Sequence, residues 1–485
     1  MLKKTISILS LVFLLITGCI LYYLAGEYSR SQLILILIAA VIAFFFFIIN
    51  RNYSIRDSTS HSIRIAYIFL LGYFIVFFQR YLDLIAGLCS PNNSFLFNSS
   101  DTIIRTAALS FIGLIAFILG YISYKSYGNY AQKNIKIIET STLKGLSLIF
   151  TIIFVALNGA DFIAGSYSQA SIESRQGTVA AYSQVICQAF YLATLTLEIY
   201  QNKPCLSFWQ FLKQLGVRFN LALLIYVSLV LVSGDRGPII QVGLMLIASY
   251  VIKVRPHVNL IAIIFICIIG AYALTLMGIA RTQDKSDSFI TRMELSSNHK
   301  IETYSAPSLI PITGELSNSV RCTHTAVANV PSRHPFFYGS FQLRDLCRII
   351  PFSNALTSYI FDTDSRYQNS AMFITILRNG RFYTSGEGST VVADLYLSFG
   401  MPGVLIGLFL FGRLVKHVET KVFFTPPAQI PFLYSSLALF LFSIAIYINR
   451  SGIFSSIASF SYGIIVIFIY VTLHRQRVSI KSHKL

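Results

Sequence analysis

The sequence predicts an all-α protein that crosses a membrane about twelve times and carries one large loop outside the membrane. The first ground is composition: 55% of the residues are hydrophobic and 12% are charged, with 40 Phe and 28 Tyr among 485 residues. Soluble globular domains carry about twice that share of charged residues, so the chain falls outside their class. The second ground is that apolar runs of about 20 residues, long enough to cross a bilayer as a helix, recur along the chain.

These apolar runs are expected to be α-helices because backbone N–H and C=O groups find no water partner inside hydrocarbon. Each predicted span is one such run, and the third, fifth, seventh and eighth are the shortest. The runs centre on residues 5–25, 32–49, 63–78, 103–123, 143–157, 179–199, 219–232, 238–251, 258–279, 390–414, 430–448 and 455–473.

One long polar insert interrupts the apolar pattern between Ala280 and Ser389. A connection of roughly a hundred residues is far longer than a simple loop and is typical of a functional or separately folded segment. The sequence therefore predicts three parts. Residues 1–280 hold the first nine spans, residues 281–388 form the large loop, and residues 389–485 hold the last three spans.

The distribution of Lys and Arg predicts the orientation of the spans. Placing the amino terminus inside the cell assigns most basic residues of the short loops to the cytoplasm, the side on which such residues collect. The opposite short loops then hold only Arg30, Arg80, Arg105, Arg175, Arg236 and Arg450. Both termini are predicted to be cytoplasmic and the insert to lie outside. The net charge of +18 is explained by this topology and by contact with anionic lipid, rather than by a nucleic-acid surface.

Several kinds of chemistry find no support in the sequence. It contains neither a Gly-x-x-x-x-Gly-Lys-Ser/Thr loop for nucleotide phosphates nor a His-Glu-x-x-His zinc motif. The cysteines show no metal-binding spacing, although Cys322 and Cys347 share the insert and could form a disulfide in an oxidising compartment. The predicted spans hold few carboxylates, chiefly Glu198, expected to reach the cytoplasmic interface, and Asp394. No metal or cofactor is expected.

An arginine at the predicted outer face gives the first candidate site. Residues 234–238 form a Gly-Asp-Arg-Gly-Pro turn between two spans, with glycines that permit a tight reversal and a proline suited to the first position of a helix. The turn places Arg236 beside the positive end of a helix, where a guanidinium and free backbone N–H groups bind phosphate well. An arginine that only closes the turn at the interface would give the same pattern.

Both ends of the insert bring further arginines to the depth of the lipid headgroups. Arg281 follows the ninth span, and Arg378 and Arg381 precede the tenth. Guanidinium groups at this depth can grip phosphate oxygens in pairs, or can simply lie in solvent or against lipid headgroups. The sequence is compatible with phosphate binding by these three arginines and equally with contact to solvent or lipid headgroups.

The insert also contains a predicted helix and three histidines. Residues 335–351 place apolar side chains and arginines at helical spacing, which predicts a short amphipathic helix on the outer interface. The histidines predicted to lie outside are His299, His324 and His334. One imidazole could act as a general base because it titrates near neutral pH, although each residue alone is also typical of a protein surface.

Residues 386–403 carry the second distinctive motif. A Gly- and Ser-rich start is followed by Asp394, an aromatic residue, and a Phe-Gly-x-x-Gly stretch that breaks a span. This stretch resembles the late membrane segment of bacterial O-antigen polymerases, and the turn at residues 234–238 is similar to the Ser-Gly-x-Arg-Gly-Pro turn of the same family. The plan of about twelve spans with one large outward loop late in the chain also matches. At the level of residues, the similarity covers these two motifs.

The resemblance implies an enzyme that polymerises oligosaccharide repeat units and has a GT-C-like plan related to that of O-antigen ligases. Such an enzyme transfers a growing glycan from undecaprenyl pyrophosphate to a newly exported, lipid-linked repeat unit at the outer face of the bacterial cytoplasmic membrane. The pyrophosphate ester supplies the energy, which fits a sequence without a nucleotide site. Besides this substrate and membrane lipid, the implied partners are a chain-length regulator and a flippase of the same pathway, and no nucleic acid.

The resemblance also implies roles for the candidate residues. Arg236 and Arg281 would hold the donor pyrophosphate and offset charge on the leaving group, with Arg378 and Arg381 assisting them or the acceptor. Asp394 or His334 would orient or deprotonate the acceptor hydroxyl.

Three alternatives to a polymerase stay open. An O-antigen ligase is the closest, because the sequence separates the two enzymes poorly. A flippase for lipid-linked oligosaccharide could have a similar number of spans, but transporters are usually built from repeated halves, and no internal repeat occurs here. A purely structural partner of an export complex would not need arginines gathered at one depth of the membrane.

Overall fold

The structure is a computed structural model that describes residues 2–51, 63–124, 138–163, 179–201, 205–233, 236–256, 307–350, 368–381 and 386–482. Regular structure within these ranges is entirely helical. The predicted ninth span, Arg281 and His299 lie outside the described residues.

Within the described residues, helices cover most of each predicted apolar run. In chain order the α-helices are α1 Leu2–Tyr23, α2 Arg30–Arg51, α3 Ile65–Phe77, α4 Gln79–Ile85, α5 Ser94–Phe97, α6 Ile103–Ser123, α7 Ser141–Ile163, α8 Val179–Glu198, α9 Phe208–Ser233, α10 Arg236–Val254, α11 Gly314–Ser317, α12 Val320–Asn329, α13 Ser340–Cys347, α14 Ser370–Asn379, α15 Val391–Phe423, α16 Phe432–Ile444 and α17 Ile457–Ser482. Short 3-10 helices occupy Ser100–Thr102, Pro311–Thr313, Pro427–Gln429 and Tyr447–Arg450.

Nine helical segments in the described part of the chain are long and apolar enough to cross a membrane. Two further predicted spans form helices that fall short of this: α8 is less apolar, and α16 has only 13 residues. The prediction of a polytopic all-α membrane protein is confirmed, whereas the count of twelve spans is not.

The predicted spans differ most from the structure where polar residues extend an apolar helix. The seventh span was expected at residues 219–232, but α9 begins at Phe208 and has 26 residues. A break at Gly216, with φ of 80°, divides α9 into a more polar first part and the apolar part that hydropathy detects. Hydropathy alone therefore finds the apolar part and misses its polar extension.

Helix α6 forms the centre of the bundle and packs against α15, α1 and α2. Contact between α6 and α15 is unusually close at two glycines. A Cβ atom on Gly120 would lie 2.0 Å from the carbonyl oxygen of Phe409, and one on Gly412 would lie 2.2 Å from that of Phe117. Small residues at such positions let the backbones of membrane helices approach each other, which compensates for the absence of a hydrophobic driving force in lipid.

Helix α15 is broken at the predicted Phe-Gly-x-x-Gly motif. Phe399 and Gly400 have non-helical backbone angles, and Pro402 has no N–H to donate to the carbonyl of Ser398. The insert fills these vacant positions, because the N–H groups of Phe337 and Tyr338 donate to the carbonyls of Leu397 and Ser398 at 3.0 and 2.9 Å. The break is thus one of the places where the insert is joined to the membrane bundle.

The predicted amphipathic helix of the insert is present as α13. Its Phe341 is buried, whereas Leu343 and Leu346 are exposed, as is Ile350 just after the helix. The apolar residues of this segment are therefore divided between the protein core and an exposed surface.

Candidate active site at the start of helix α15

The first turn of α15 is fixed by its own capping residue. Thr390 precedes the helix, and its side-chain oxygen accepts a hydrogen bond from the N–H of Ala393 at 3.0 Å. Such a cap satisfies one of the free N–H groups at a helix start. Asp394 is the acidic residue of this turn and is almost completely buried.

The carboxylate of Asp394 joins three other segments of the chain. Its Oδ2 atom accepts from the side-chain amide of Gln342 at 2.8 Å and from the backbone N–H of Ile453 at 3.1 Å. The hydroxyl of Ser370, at the start of α14, also donates to this carboxylate. A buried carboxylate needs such donors, because burying an unpaired charge is costly.

The loop that follows Arg450 is packed directly against Asp394. A Cβ atom on Gly452 would lie 3.2 Å from Oδ1 of Asp394, so this position is too tight for a side chain without some adjustment. Asp394 therefore controls where residues 451–453 run.

Arg450 ends the 3-10 helix before this loop and is only half-buried. Within the described part of the chain its side chain makes no hydrogen bond or ion pair. Its carbonyl oxygen lies 3.7 Å from where a Cβ atom on Gly388 would be. Burial raises the pKa of the Cys322 thiol to about 11, and Arg450 is one of the neighbouring cations that oppose this shift. A guanidinium that has no partner among the described residues is well suited to an anionic ligand.

The beginning of α10 lies beside the same 3-10 helix. A Cβ atom on Gly237 would be 2.9 Å from the ring of Tyr447, and the amide of Gln241 donates to the hydroxyl of Ser456 at 3.4 Å. Arg236 is the first residue of α10, as the turn motif predicted, and its side chain lies outside what the structure describes. The structure thus brings the start of α10 to the segment that ends in Arg450.

Arg378 and Arg381 were also predicted from the sequence as site residues, and the structure gives them different surroundings. Arg378 donates to the hydroxyl oxygen of Thr325 at 3.2 Å and to the carbonyl of Phe95 at 3.0 Å, and it lies 3.7 Å from the carboxylate of Glu387. Burial lowers the pKa of Arg378. Arg381 is exposed just beyond the end of α14. Arg378 is therefore partly buried among contacts from three segments, whereas Arg381 is exposed.

Glu387 is the centre of this arginine network. Besides Arg378, it pairs with Arg321 at 2.6 Å, and it accepts from the amide of Asn379 at 3.2 Å. The backbone carbonyl of Glu387 accepts from the thiol of Cys322 at 3.4 Å. The network fixes the last residues of the insert before the chain enters α15.

The two described histidines of the insert are placed differently from each other. His334 packs its ring edge-on against Phe373 at 5.3 Å between centroids, and within the described residues no hydrogen bond joins it to Asp394. His324 was expected at the surface but is fully buried, and its Nε2 lies 3.0 Å from the hydroxyl of Tyr81. Burial, reinforced by the charge of Arg378, lowers the pKa of His324 to about 3. His324 is therefore neutral near pH 7 and has a structural role.

Other features bear on the electrostatics of the site. Cys322 and Cys347 are both free thiols, so the disulfide that the sequence left open is absent. Among the described residues no group of His, Cys, Asp and Glu could hold a metal ion.

Burial raises the pKa of Asp345 to about 6, with Arg348 opposing the shift and the charge of Asp394 adding to it.

Sequence reasoning missed the partners of Asp394 and the environment of Arg450. It assigned Arg450 to an outer loop without a role, and it gave Gln342 and Ser370 none. The only available signals were the outward position of Arg450 and a carboxylate in a span, which always needs a partner. Which residues supply that partner depends on contacts between distant parts of the chain.

The chain matches a model of a known protein family. A family model described as O-antigen polysaccharide polymerase Wzy matches residues 6–479, nearly the whole chain. No curated protein and no solved structure matches.

Proposed function

Because the chain belongs to the O-antigen polysaccharide polymerase Wzy family and is a multi-pass membrane protein, we propose a specific reaction for its role in O-antigen polymerisation. The enzyme transfers a growing glycan from undecaprenyl pyrophosphate to the sugar of a newly exported, lipid-linked repeat unit. The reaction takes place at the outer face of the cytoplasmic membrane. It makes the protein a glycosyltransferase with a GT-C-like plan, working beside a flippase and a chain-length regulator.

The chemistry requires little more than positioning and charge stabilisation. A hydroxyl oxygen of the acceptor sugar attacks the anomeric carbon of the donor glycan, and the bond from that carbon to the pyrophosphate oxygen breaks. The electron pair leaves with undecaprenyl pyrophosphate, and the hydroxyl proton passes to a base. Cations fixed beside the pyrophosphate stabilise the charge that grows on it in the transition state.

One observation carries the assignment: the half-buried guanidinium of Arg450 has no partner in the described part of the chain, and the buried carboxylate of Asp394 holds the loop that follows Arg450. We assign Arg450 to the donor pyrophosphate together with Arg236, whose helix begins beside the same segment. Arg281, which follows the predicted ninth span, is the third candidate for this clamp. Arginine suits the task because its planar fork grips two phosphate oxygens at once.

Asp394 is better suited to positioning than to proton transfer. Its carboxylate is buried and already accepts hydrogen bonds from Gln342, Ile453 and Ser370. Asp394 holds the loop that follows Arg450. Through this loop, Asp394 orients the guanidinium of Arg450.

His334 is the remaining candidate base for the acceptor hydroxyl, and Arg381 the candidate contact for the acceptor. Arg378 assists indirectly, because it fixes the end of the insert through Glu387.

The proposed orientation places both termini in the cytoplasm and residues 281–388 outside. Charge distribution supports it, and so does the gathering of Lys4, Arg64 and Lys416 at the end of the bundle away from Asp394. Tyr338 in the insert is 74% exposed and Leu206, between α8 and α9, is 85% exposed. In intact cells a membrane-impermeant thiol reagent should label Tyr338→Cys but not Leu206→Cys above the parent protein. The reverse pattern would overturn the orientation.

Deleting the gene and separating the surface polysaccharide by size on a gel tests the function. A polymerase defect leaves a single repeat unit on the lipid core, and the wild-type gene restores the ladder. A bare core would contradict the proposal, because it is the expected result for a ligase or a flippase.

A further inference from the structure

A buried arginine whose terminal nitrogens have no partner among the described residues lies at the other end of the bundle, away from Asp394. Arg64 immediately precedes α3 and is 3% exposed. Its guanidinium carbon lies 4.8 Å from the ring centroid of Phe423, at the end of α15. Within the described residues neither Nη1 nor Nη2 of Arg64 has a hydrogen-bond partner.

The same chain shows how a buried arginine is satisfied when the protein supplies its partners. Arg80 is 1% exposed and pairs with Asp83 at 2.9 Å. Its other terminal nitrogen donates to the carbonyl of Gly314 at 2.9 Å and to the side chain of Asn318 at 2.6 Å. Arg64 is buried to a similar degree, and the part of the chain that the structure describes offers it no such set of acceptors.

Further cations surround Arg64. Lys416 is buried, with its ammonium 4.6 Å from the ring centroid of Tyr121. The charge of Glu419 favours this ammonium, and the charges of Arg64 and Lys4 oppose it. Arg255 donates to the carbonyl of Val422 at 3.0 Å. Burial, and after it the charge of Arg64, lowers the pKa of Arg255. Four basic groups from α1, α15 and the ends of α3 and α10 therefore meet in one place.

The nearby carboxylate of Glu419 does not neutralise Arg64. Its Oε1 accepts from the N–H of Ala66 at 3.0 Å, and its Oε2 accepts from the hydroxyl of Tyr121 at 2.6 Å. No ion pair joins Glu419 to Arg64 in the part of the chain that the structure describes. Glu419 brings one negative charge to this cluster, and a buried excess of positive charge among the described residues is costly, so a further anion would stabilise the site.

We propose that Arg64, Lys416 and Arg255 bind the phosphate of an anionic phospholipid headgroup, in the leaflet opposite the candidate active site. The group that the site recognises is a phosphate, for which a guanidinium with two unused N–H groups is the best side chain. A lipid is the source because α1 and α3 begin here and α15 ends here, which puts the cluster at headgroup depth. The proposal does not depend on the polymerase reaction.

Binding can be measured on the purified full-length protein in neutral detergent by titrating lipid and following the unfolding temperature. Phosphatidylglycerol should stabilise the wild-type protein, whereas phosphatidylcholine and inorganic phosphate at equal concentration should not. Arg64→Gln should weaken the apparent affinity for phosphatidylglycerol at least tenfold. Arg413→Gln is the matched control, since this exposed arginine also lies on α15 and should leave the affinity unchanged.

Three results would overturn the proposal. Phosphatidylglycerol could bind wild type and Arg64→Gln equally, it could bind no better than phosphatidylcholine, or inorganic phosphate could stabilise the protein in the same Arg64-dependent way. The last result would assign the site to free phosphate. If Arg64→Gln cannot be purified, Arg64→Lys takes its place. Lysine keeps the charge without the fork, and affinity should fall at least threefold; an unchanged affinity would contradict the site.

Discussion

The side-chain amide of Gln342 donates to the carboxylate of Asp394 at 2.8 Å, and the carbonyl of the same amide accepts from the hydroxyl of Ser398 at 2.7 Å. One residue of the insert thus contacts two positions of α15 that lie one helical turn apart. The backbone of Phe337 and Tyr338 binds the carbonyls freed by the break just beyond. Insert and membrane helix are therefore joined through hydrogen bonds around one buried carboxylate.

Replacing Asp394 with Asn should abolish long polymer while the protein level in the membrane is retained. The amide keeps the size of the side chain but offers fewer acceptors to Gln342, Ile453 and Ser370. Each buried donor left unsatisfied costs about 1–3 kcal/mol, enough to move the loop after Arg450. Gln342→Ala removes one of these bonds and should give shorter polymer rather than none. Full-length polymer from Asp394→Asn would reduce Asp394 to a packing role.

Replacing Arg450 or Arg236 with Lys should shift product from long polymer to one or a few repeats. Lysine keeps the charge and loses the planar fork, so a contact worth roughly 3 kcal/mol in the transition state would slow transfer about a hundredfold. Arg105→Lys is the control, since this exposed arginine is also predicted to lie outside. The ladders are compared at equal membrane abundance. Wild-type ladders from both variants would leave Arg281 as the leading candidate.

The membrane helices could be predicted from sequence because their signal is local. Hydropathy over about twenty residues identifies α6 and α15, and the glycine motif locates the break at Phe399 and Gly400. The same local rule misses the polar part of α9 before Gly216, since no hydrophobic pattern marks it. Asp394 and Arg236 were also chosen from local motifs, and Arg281 from its position at the start of the insert; their roles stay predictions.

Contacts between distant segments could not be predicted in this way. Gln342 precedes Asp394 by 52 residues, and Ile453 follows it by 59. Only the path of the chain through the bundle brings them together, so Arg450 carried no signal beyond its outward position. For the same physical reason, burial of His324 and the pairing of Arg378 were visible only once the insert was folded.

Arg378 and Arg381 should respond differently to substitution by Ala. Arg378 is held by Thr325, Phe95 and Glu387, so its loss should lower the free energy of unfolding by about 1–3 kcal/mol. Arg381 is exposed, and its loss should leave stability nearly unchanged while shortening the polymer if it meets the acceptor. Unfolding temperature and polymer yield per protein molecule separate the two effects. A stable but inactive Arg378→Ala would show that Arg378 acts on the substrate instead.

Asp345 should make the protein less stable as the pH rises from about 4 to about 6. Burial raises its pKa in the folded protein to about 6, so the folded state holds the proton more tightly than the unfolded state does. The resulting stabilisation is complete below about pH 4, is lost as the pH passes through 6, and amounts to at most about 3 kcal/mol. Asp345→Asn should remove this pH dependence. The unfolding free energy of Asp345→Asn minus that of wild type should therefore rise by up to about 3 kcal/mol between pH 4 and pH 7.

His324 has a depressed pKa and acts in the opposite direction over part of this range, because its contribution is gained as the pH rises. The unfolding free energies of wild type and Asp345→Asn are therefore measured at each pH and subtracted. The contribution of His324 cancels in this difference. A difference that does not change with pH would contradict the raised pKa of Asp345.

Replacing Gly412 with Ala should destabilise the bundle, because α6 and α15 have no room for a methyl group between them. The new Cβ atom would lie 2.2 Å from the carbonyl oxygen of Phe117, and relief requires one helix backbone to move. Overpacking of this kind costs about 1–3 kcal/mol. Gly243→Ala is the matched control on another membrane helix, α10, where nothing lies within 4 Å of the new atom. It should be neutral or slightly stabilising, since alanine favours a helix by up to about 1 kcal/mol over glycine. Equal unfolding temperatures for the two variants would mean that the close approach of α6 and α15 does not limit stability.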